Sequence, residues 1–293
     1  MILDGKQIAQ TIRAELRGQI AALREQGKRV PKLAIVMVGD NPASETYVAN
    51  KLKACEDVGM EAVRIAYQAN ITEQTLLTEI SRLNSDTTID GFIIQLPLPE
   101  HINEATVLSA IDYRKDVDGL TPTNMGRMVQ GRPSLVSATP RGICELLARY
   151  NIATEGKHVV VIGRSNIVGK PIAMLLMQRP YNATVTVCHS KTQDLAAICR
   201  TADIIIVAAG SPKLLTADMV TEGAVVIDVG INRIKVANAK ANAKAYKLVG
   251  DVDFDNVAPK VAYITPVPNG VGPMTIVSLL QNTLQAYQLK ADN

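Results

Sequence analysis

The chain has 293 residues, 47% of them hydrophobic and 20% charged, which is the balance of a folded globular protein. Its 31 basic and 28 acidic side chains leave a net charge of only +3. The chain has two Phe and no Trp that could stack on bases, so the composition argues against nucleic-acid binding. The length predicts about two domains, with ample chain to bury a core.

The first residues and the cysteines predict a cytoplasmic protein. The opening segment M-I-L-D-G-K reaches an acid at Asp4 and lacks an apolar run, so we expect no secretory signal. No stretch approaches the roughly 18 apolar residues that a membrane span needs, so we expect no membrane association. The four cysteines lack C-x-x-C spacing and are expected to be structural thiols in a reducing compartment: Cys55, Cys144, Cys188 and Cys199.

Strand and helix patterns alternate along the chain, which predicts a parallel α/β architecture. The first half is predicted to contain helix 6–27, strand 33–38, helix 45–58, strand 61–67, a helix through 76–83 and strand 91–96. The second half is predicted to contain helix 142–150, strands 157–162, 184–188, 204–208 and 225–229, and an apolar helix at 274–287. The Ala/Lys/Asn-rich segment 234–248 is expected to be a solvated hairpin or an irregular loop.

The most informative motif is the segment K-H-V-V-V-I-G-R-S-N-I-V-G-K-P, from Lys157 to Pro171. A buried strand breaks at Gly163 and a helix begins near Gly169, which is the layout that aims backbone N–H groups at a pyrophosphate. The motif departs from G-x-G-x-x-G because Ser165 stands in place of the second glycine. The segment therefore predicts a dinucleotide site, and its departure from the usual motif hints at which dinucleotide binds.

The end of the following strand indicates which dinucleotide binds. NAD-specific sites usually carry an acid there, which accepts from the ribose 2′-OH and repels a 2′-phosphate. Here the strand runs into His189, Ser190 and Lys191 with no carboxylate, and Arg164 extends from the neighbouring turn. A guanidinium binds a phosphate bidentately, so the cluster favours NADP. The alternative is that His189 and Lys191 merely cap a solvated strand end.

Two stretches imitate metal or phosphate motifs and are rejected. Gly163–Lys170 resembles a P-loop, but five residues separate its glycines and Pro171 replaces the Mg²⁺-binding Ser/Thr. Asp251–Asp255 imitates the start of a calcium loop, but Asn256 occupies the place of the turn glycine. We therefore predict no metal site.

Polar groups in the first half suggest a second site. Tyr47 and Lys51 are spaced i, i+4 and share one helix face. Gln95 lies near the carboxyl end of a strand, where open α/β sheets bind ligands, and Asp116 and Asp118 follow in a polar turn. Taken singly, each feature is also explained as a solvated helix face, a strand-end amide or an ordinary turn.

Six strings occur in one order along the chain: Y-V-A-N-K-L-K-A-C, D-G-F-I-I-Q-L-P-L-P, K-D-V-D-G, T-P-R-G, G-R-S-N-I-V-G-K-P and P-V-P-N-G-V-G-P-M-T. Together they resemble the methylenetetrahydrofolate dehydrogenase/methenyltetrahydrofolate cyclohydrolase family over essentially the whole length. The resemblance implies that NADP⁺ oxidises 5,10-methylenetetrahydrofolate to 5,10-methenyltetrahydrofolate, which is then hydrolysed to 10-formyltetrahydrofolate. It also implies a homodimer acting in one-carbon metabolism, which supports purine, methionine and histidine biosynthesis.

The resemblance implies two domains: a folate-binding α/β catalytic domain at 1–140, completed by helix 273–293, and a Rossmann-like NADP-binding domain with a parallel sheet at 141–272. It implies three catalytic residues that also bind the substrate: Lys51, Gln95, which contacts that lysine, and Asp118, which holds the pterin edge. It further implies that Tyr47 binds the substrate by stacking on the aminobenzoyl ring. The NADP-binding positions that it implies are Gly163, Arg164, Ser165, Ser190 and Ile231.

One residue departs from the family pattern. The family usually has P-V-P-G-G-V-G-P, and Asn269 replaces the first of those glycines. Asn tolerates positive φ better than most residues, so the loop is expected to keep its shape. Two other functions stay open: another NADP-linked two-domain dehydrogenase, resembling shikimate dehydrogenase, and a folate- or nucleotide-binding module without catalysis.

Overall fold

The computed structural model describes residues 1–235 and 246–291. The helices are α1 Gly5–Glu25, α2 Pro42–Val58, α3 Glu73–Ser85, α4 Glu104–Ser109, α5 Pro122–Val129, α6 Ala138–Arg149, α7 Gly169–Leu176, α8 Leu195–Cys199, α9 Phe254–Val257 and α10 Val271–Ala291. The strands are β1 Lys32–Val38, β2 Glu61–Tyr67, β3 Gly91–Ile94, β4 His158–Ile162, β5 Thr184–Cys188, β6 Ile204–Val207, β7 Val225–Asp228, β8 Asn232–Lys235, β9 Tyr246–Val249 and β10 Tyr263–Ile264.

The described residues divide into two compact units. One combines segments 1–9 and 139–275, and the other combines 10–138 with the C-terminal segment from 276. We call them the nucleotide unit and the catalytic unit, after the motifs that they carry. Helix α6 begins at Ala138, four residues before the predicted start of that helix.

The catalytic unit contains a parallel sheet in the order β2-β1-β3. Strand β1 is an almost continuous run of buried apolar residues, as expected for a parallel strand covered on both faces. Gly91 opens β3 where a Cβ would lie 2.1 Å from Val117 Cγ1, so only glycine lets the 115–119 turn pack against the strand. The Phe92 N–H donates to the Lys115 carbonyl at 2.9 Å, which ties the turn that carries Asp118 to β3.

Strand β3 is shorter than the sequence predicts. It ends at Ile94, although the Gln95 N–H still donates to the Val36 carbonyl at 2.8 Å. Pro97 has no N–H to continue the ladder, which is why the predicted 91–96 strand stops early. Gln95 is thereby held at the carboxyl end of the sheet.

The nucleotide unit contains a parallel sheet in the order β10-β7-β6-β4-β5. The predicted Rossmann-like parallel sheet is therefore confirmed, with one strand more than expected. Strand β10 was missed because it has only the two residues Tyr263 and Ile264. Strands β4, β6 and β7 are apolar and largely buried, and they form the centre of the core of this unit.

The segment predicted as a hairpin or loop at 234–248 is described only at its flanks. Strands β8 and β9 pair antiparallel, with Asn232 opposite Val249 and Lys235 opposite Tyr246. Residues 236–245 lie outside the described part of the chain. Among the described helices, none has the length and apolar character needed to cross a bilayer.

Candidate active site

The central contact of the catalytic unit joins Lys51 to Gln95. Lys51, on α2, donates from Nζ to Gln95 Oε1 at 3.0 Å. The Gln95 amide donates from Nε2 to the Leu96 carbonyl at 2.8 Å. The second bond fixes the orientation of the amide, so that its neutral oxygen faces the lysine.

Burial sets the charge preferences at this contact. Burial lowers the pKa of Lys51, and the nearby Asp118 carboxylate partly opposes that shift. Burial raises the pKa of Asp118, against the influence of Lys51, and the negative charge of Asp116 raises it further. Lys51 is therefore more easily deprotonated than an exposed lysine, which suits a group that must accept a proton near neutral pH.

The two acids of the 116–118 turn have different surroundings. The Asp116 carboxylate accepts from the N–H of Leu120 at 3.2 Å and of Thr121 at 2.7 Å, and from Asn124 Nδ2 at 3.0 Å. Those bonds give Asp116 a structural role. Within the described residues the Asp118 carboxylate accepts no comparable bond, so its oxygens are available to a ligand.

Tyr47 lies one helical turn before Lys51 and is 45% exposed. Its ring is not part of the core and can lie against a flat ligand bound beside Lys51. The structure thus brings Lys51, Gln95 and Asp118 together and presents Tyr47 on the same helix face.

In the nucleotide unit, two glycines shape the loop after β4. Gly163 has φ +121°, and a Cβ on it would lie 2.2 Å from the Ala208 carbonyl oxygen. A Cβ on Gly169 would lie 2.1 Å from the carbonyl oxygen of Gly163. Only glycine fits either position, so the backbone passes close to the start of α7 as a pyrophosphate cradle requires.

Ser165 explains the missing second glycine of the motif. Its Oγ accepts from the N–H of Val168 at 3.2 Å and of Gly169 at 3.4 Å. The carbonyl of Ser165 also accepts from the Lys170 N–H at 3.0 Å. Ser165 therefore caps the first turn of α7, whose N–H groups have no partner within the helix.

The predicted phosphate cluster lies at neighbouring strand ends. Strands β4 and β5 pair with Ile162 opposite Cys188, and the Gly163 N–H donates to the Cys188 carbonyl at 2.9 Å. Arg164 follows β4 after Gly163, and Ser190 follows β5 after His189; both side chains are exposed. Their exposed side chains lie at the carboxyl edge of the sheet, where the sequence analysis predicts a phosphate-binding cluster.

The two remaining residues of interest are Ile231 and Asn269. Ile231 follows β7 and is 49% exposed. Asn269 has φ +82° and accepts at its carbonyl from the Lys6 N–H at 3.0 Å. The positive φ explains why glycine is usual at this position and why Asn can replace it.

Comparison with known proteins identifies two matching family models. The one described as the catalytic domain of tetrahydrofolate dehydrogenase/cyclohydrolase matches residues 3–118, and the one described as its NAD(P)-binding domain matches residues 137–291. The chain is 56% identical over 287 residues to the bifunctional protein FolD of Phocaeicola vulgatus, covering 97% of each chain.

Solved structures agree in fold. The bifunctional FolD dehydrogenase/cyclohydrolase of Campylobacter jejuni superposes with a TM-score of 0.93 at 46% identity, covering 99% of both chains. The Trypanosoma brucei enzyme, complexed with NADP cofactor and an inhibitor, gives a TM-score of 0.93 at 38% identity, covering 100% of this chain and 99% of the other. Shikimate dehydrogenase from Thermus thermophilus gives a TM-score of 0.53 at 17% identity, covering 89% and 94%, which indicates a shared fold alone.

Proposed function

The chain belongs to the tetrahydrofolate dehydrogenase/cyclohydrolase family, and on that premise we propose which of its residues carry each activity. It is a bifunctional enzyme that oxidises 5,10-methylenetetrahydrofolate with NADP⁺ and hydrolyses the product to 10-formyltetrahydrofolate. The observation that carries the assignment is the bond from Lys51 to Gln95, beside Asp118.

The folate substrate is proposed to bind in the catalytic unit. Asp118 accepts two parallel N–H bonds from the pterin edge, a role that an ionised carboxylate without other hydrogen bonds can fill. The exposed ring of Tyr47 stacks on the aminobenzoyl group. Together they fix the one-carbon bridge of the substrate beside Lys51.

In the dehydrogenase step, NADP⁺ supplies the hydride acceptor. The residues of the nucleotide unit fit it, because Gly163 and Gly169 leave room that a Cβ would fill and no acid occupies the end of β5. Arg164 and Ser190 are proposed to bind the 2′-phosphate, and Ser165 and Ile231 to line the site. Because loss of hydride leaves a cation stabilised by two nitrogens, the step needs positioning more than acid or base.

In the cyclohydrolase step, Lys51 is proposed to accept a proton from water as the oxygen bonds to the methenyl carbon. The hydroxyl proton of the adduct is then lost as the C=O bond forms, the bond from that carbon to N5 breaks with its electron pair returning to N5, and N5 takes up a proton. The formyl group stays on N10, and the overall reaction consumes water and releases one proton. Gln95 orients the Lys51 amine without adding the negative charge that would favour its ammonium form.

The experiment is an assay of both half-reactions on the purified protein, with NADP⁺ and NAD⁺ in parallel. We expect methenyl product with NADP⁺ and 10-formyl product from added methenyltetrahydrofolate. Turnover of 3-dehydroshikimate in place of folate would support the other two-domain dehydrogenase, and absence of all turnover would support a binding module. The shikimate dehydrogenases share the fold alone, so they give no reason to prefer that alternative.

We also propose that the enzyme is a cytoplasmic homodimer that serves purine, methionine and histidine biosynthesis. The dimer is proposed to form through the nucleotide unit, and β5 supports this as an edge strand of its sheet with Val187 38% exposed. An open edge can pair with a second chain. Light scattering on a sizing column tests the dimer, and twice the mass of the chain is the expected result.

A further inference from the structure

Two buried carboxylates lie at the carboxyl end of the sheet in the nucleotide unit. Asp251 has 0% exposure and Asp228 has 2%. The Asp251 Oδ2 accepts from the N–H of Ala209 at 2.7 Å and of Gly210 at 2.8 Å. Its Oδ1 accepts from Asn232 Nδ2 at 2.8 Å. Asp251 therefore joins the loop after β6 to Asn232, the first residue of β8.

Asp228 holds the backbone of the segment that carries Asp251. Its Oδ1 accepts from the N–H of Gly230 and of Asp251, both at 2.9 Å, and its Oδ2 accepts from the Val252 N–H at 3.0 Å. Burial raises the pKa of Asp228 to about 6, and the charge of Asp251 adds to that shift. Each carboxylate thus accepts three hydrogen bonds, which fixes its position in the network.

The backbone is shaped to admit both acids. A Cβ on Gly230 would lie 2.3 Å from Asp251 Oδ1, and a Cβ on Gly250 would lie 1.8 Å from Asp228 Oδ2. Glycine at both positions lets each carboxylate approach the backbone of the other segment. The arrangement is therefore specific to these side chains.

The sheet order indicates what the two loops serve. Cofactor-binding sheets of this type bind the two halves of a dinucleotide on either side of the point where strand order reverses. The order β10-β7-β6-β4-β5 places that reversal between β4 and β6. The phosphate cluster follows β4 and β5, so the loops after β6 and β7 border the other half, which carries the nicotinamide.

We propose that Asp251 is a positioning residue for hydride transfer, holding residues 209–210 after β6 and residues 231–232 at the start of β8 in the arrangement that orients the nicotinamide. This rests on the NADP-dependent oxidation given above. The carboxylate does not touch the reacting atoms. It acts through the backbone N–H groups of Ala209 and Gly210 and through Asn232, which adjoins the exposed Ile231.

The two activities of the enzyme separate this role from a purely structural one. Hydrolysis of methenyltetrahydrofolate uses residues of the catalytic unit and consumes no NADP⁺. A variant that misplaces the nicotinamide therefore loses oxidation and keeps hydrolysis. A variant that unfolds the protein loses both.

The test compares Asp251→Asn with the wild-type enzyme in both half-reactions. We expect kcat/KM for oxidation to fall on the order of 10- to 100-fold, as small misplacements of reacting groups do, with hydrolysis within about twofold of wild type. We also expect the primary isotope effect with deuterated methylene substrate to rise, because the hydride step becomes limiting. The less disruptive variant Asn232→Ala should show a smaller loss of the same kind.

Asp203→Asn is the control at the opposite end of the sheet: Asp203 is exposed and also accepts from a backbone N–H, that of His158 at 2.8 Å, but it precedes β6 at the amino end. It should lower neither activity selectively. The proposal would be overturned if Asp251→Asn lost oxidation and hydrolysis equally, or if neither Asp251→Asn nor Asn232→Ala lost oxidation. Absence of NADP⁺-dependent oxidation in the wild-type enzyme would instead refute the proposed function.

Discussion

Lys51 Nζ donates to Gln95 Oε1 over 3.0 Å, and this is the contact from which the chemistry of the catalytic unit follows. The partner is a neutral amide, so it holds the amine without stabilising a positive charge on it as a carboxylate would. Burial meanwhile lowers the pKa of Lys51. The pair therefore keeps an amine in place and ready to accept a proton.

Replacing Lys51 should separate chemistry from binding. Lys51→Met removes the proton acceptor but retains an apolar stem, so cyclohydrolase kcat should fall by about 10²- to 10⁴-fold, the usual contribution of a general base. Affinity for NADP⁺, measured by fluorescence titration, should change little. Lys53→Met, on the same helix at an exposed position, is the control. Unchanged hydrolysis in Lys51→Met would refute its role.

Changing the charge of Gln95 should move the pH dependence of hydrolysis. In Gln95→Glu a carboxylate faces the amine, favours the ammonium form and raises the pKa of Lys51. The alkaline rise in cyclohydrolase rate should therefore shift to higher pH. Gln95→Met, which adds no charge, should lower the rate without that upward shift. Coincident pH–rate profiles for Gln95→Glu and the wild type would contradict the account.

Arg164 should govern the choice of cofactor. Arg164→Ala removes a charged donor to the 2′-phosphate, a bond whose loss typically weakens binding by about 10- to 100-fold. KM for NADP⁺ should rise by that factor, while KM for NAD⁺, which lacks the phosphate, should stay constant. The NAD⁺ measurement is the internal control. An equal rise in KM for both cofactors would mean that Arg164 supports the loop and does not bind the 2′-phosphate.

The close approach at Gly169 predicts a paired stability experiment. In Gly169→Ala the new Cβ would meet the Gly163 carbonyl oxygen at 2.1 Å, which should cost about 1–3 kcal/mol of unfolding free energy and abolish NADP⁺ binding. Gly18, exposed in α1 with nothing within 4 Å of an added Cβ, is the matched position. Gly18→Ala should stabilise the protein by about 0.5–1 kcal/mol, measured by calorimetry. Tolerance of Gly169→Ala with full cofactor affinity would contradict the assigned geometry.

Local patterns were enough to predict much of this fold. The buried strands β1, β4, β6 and β7 are apolar except at an end residue in three of them, a pattern that a single sequence reveals well. Strand β10 was not predicted, because its two residues are too few to show a periodic pattern. The end of β3 was misplaced because the strand pattern continues through residues whose hydrogen bonding Pro97 interrupts.

The site was predictable where chemistry follows from position. Helix spacing and a strand end left Lys51 and Gln95 open to ordinary structural explanations, and only the family resemblance predicted that they contact each other. The structure joins them by a hydrogen bond. Asp251 was different, because its partners Ala209 and Asn232 lie far from it along the chain. In sequence it resembled only the start of a calcium loop, and no local pattern reveals a carboxylate buried among distant N–H groups.

The most direct test of the account is the pKa of Lys51 in the folded enzyme. Nitrogen-15 labelling of lysine side chains, with Lys51→Met to assign the resonance, would follow its titration by NMR. We predict a midpoint below the ordinary value of about 10.4, because burial disfavours the ammonium form and Gln95 does not restore it. A midpoint at or above that value would contradict it, because Lys51 would then remain charged through the pH range of catalysis.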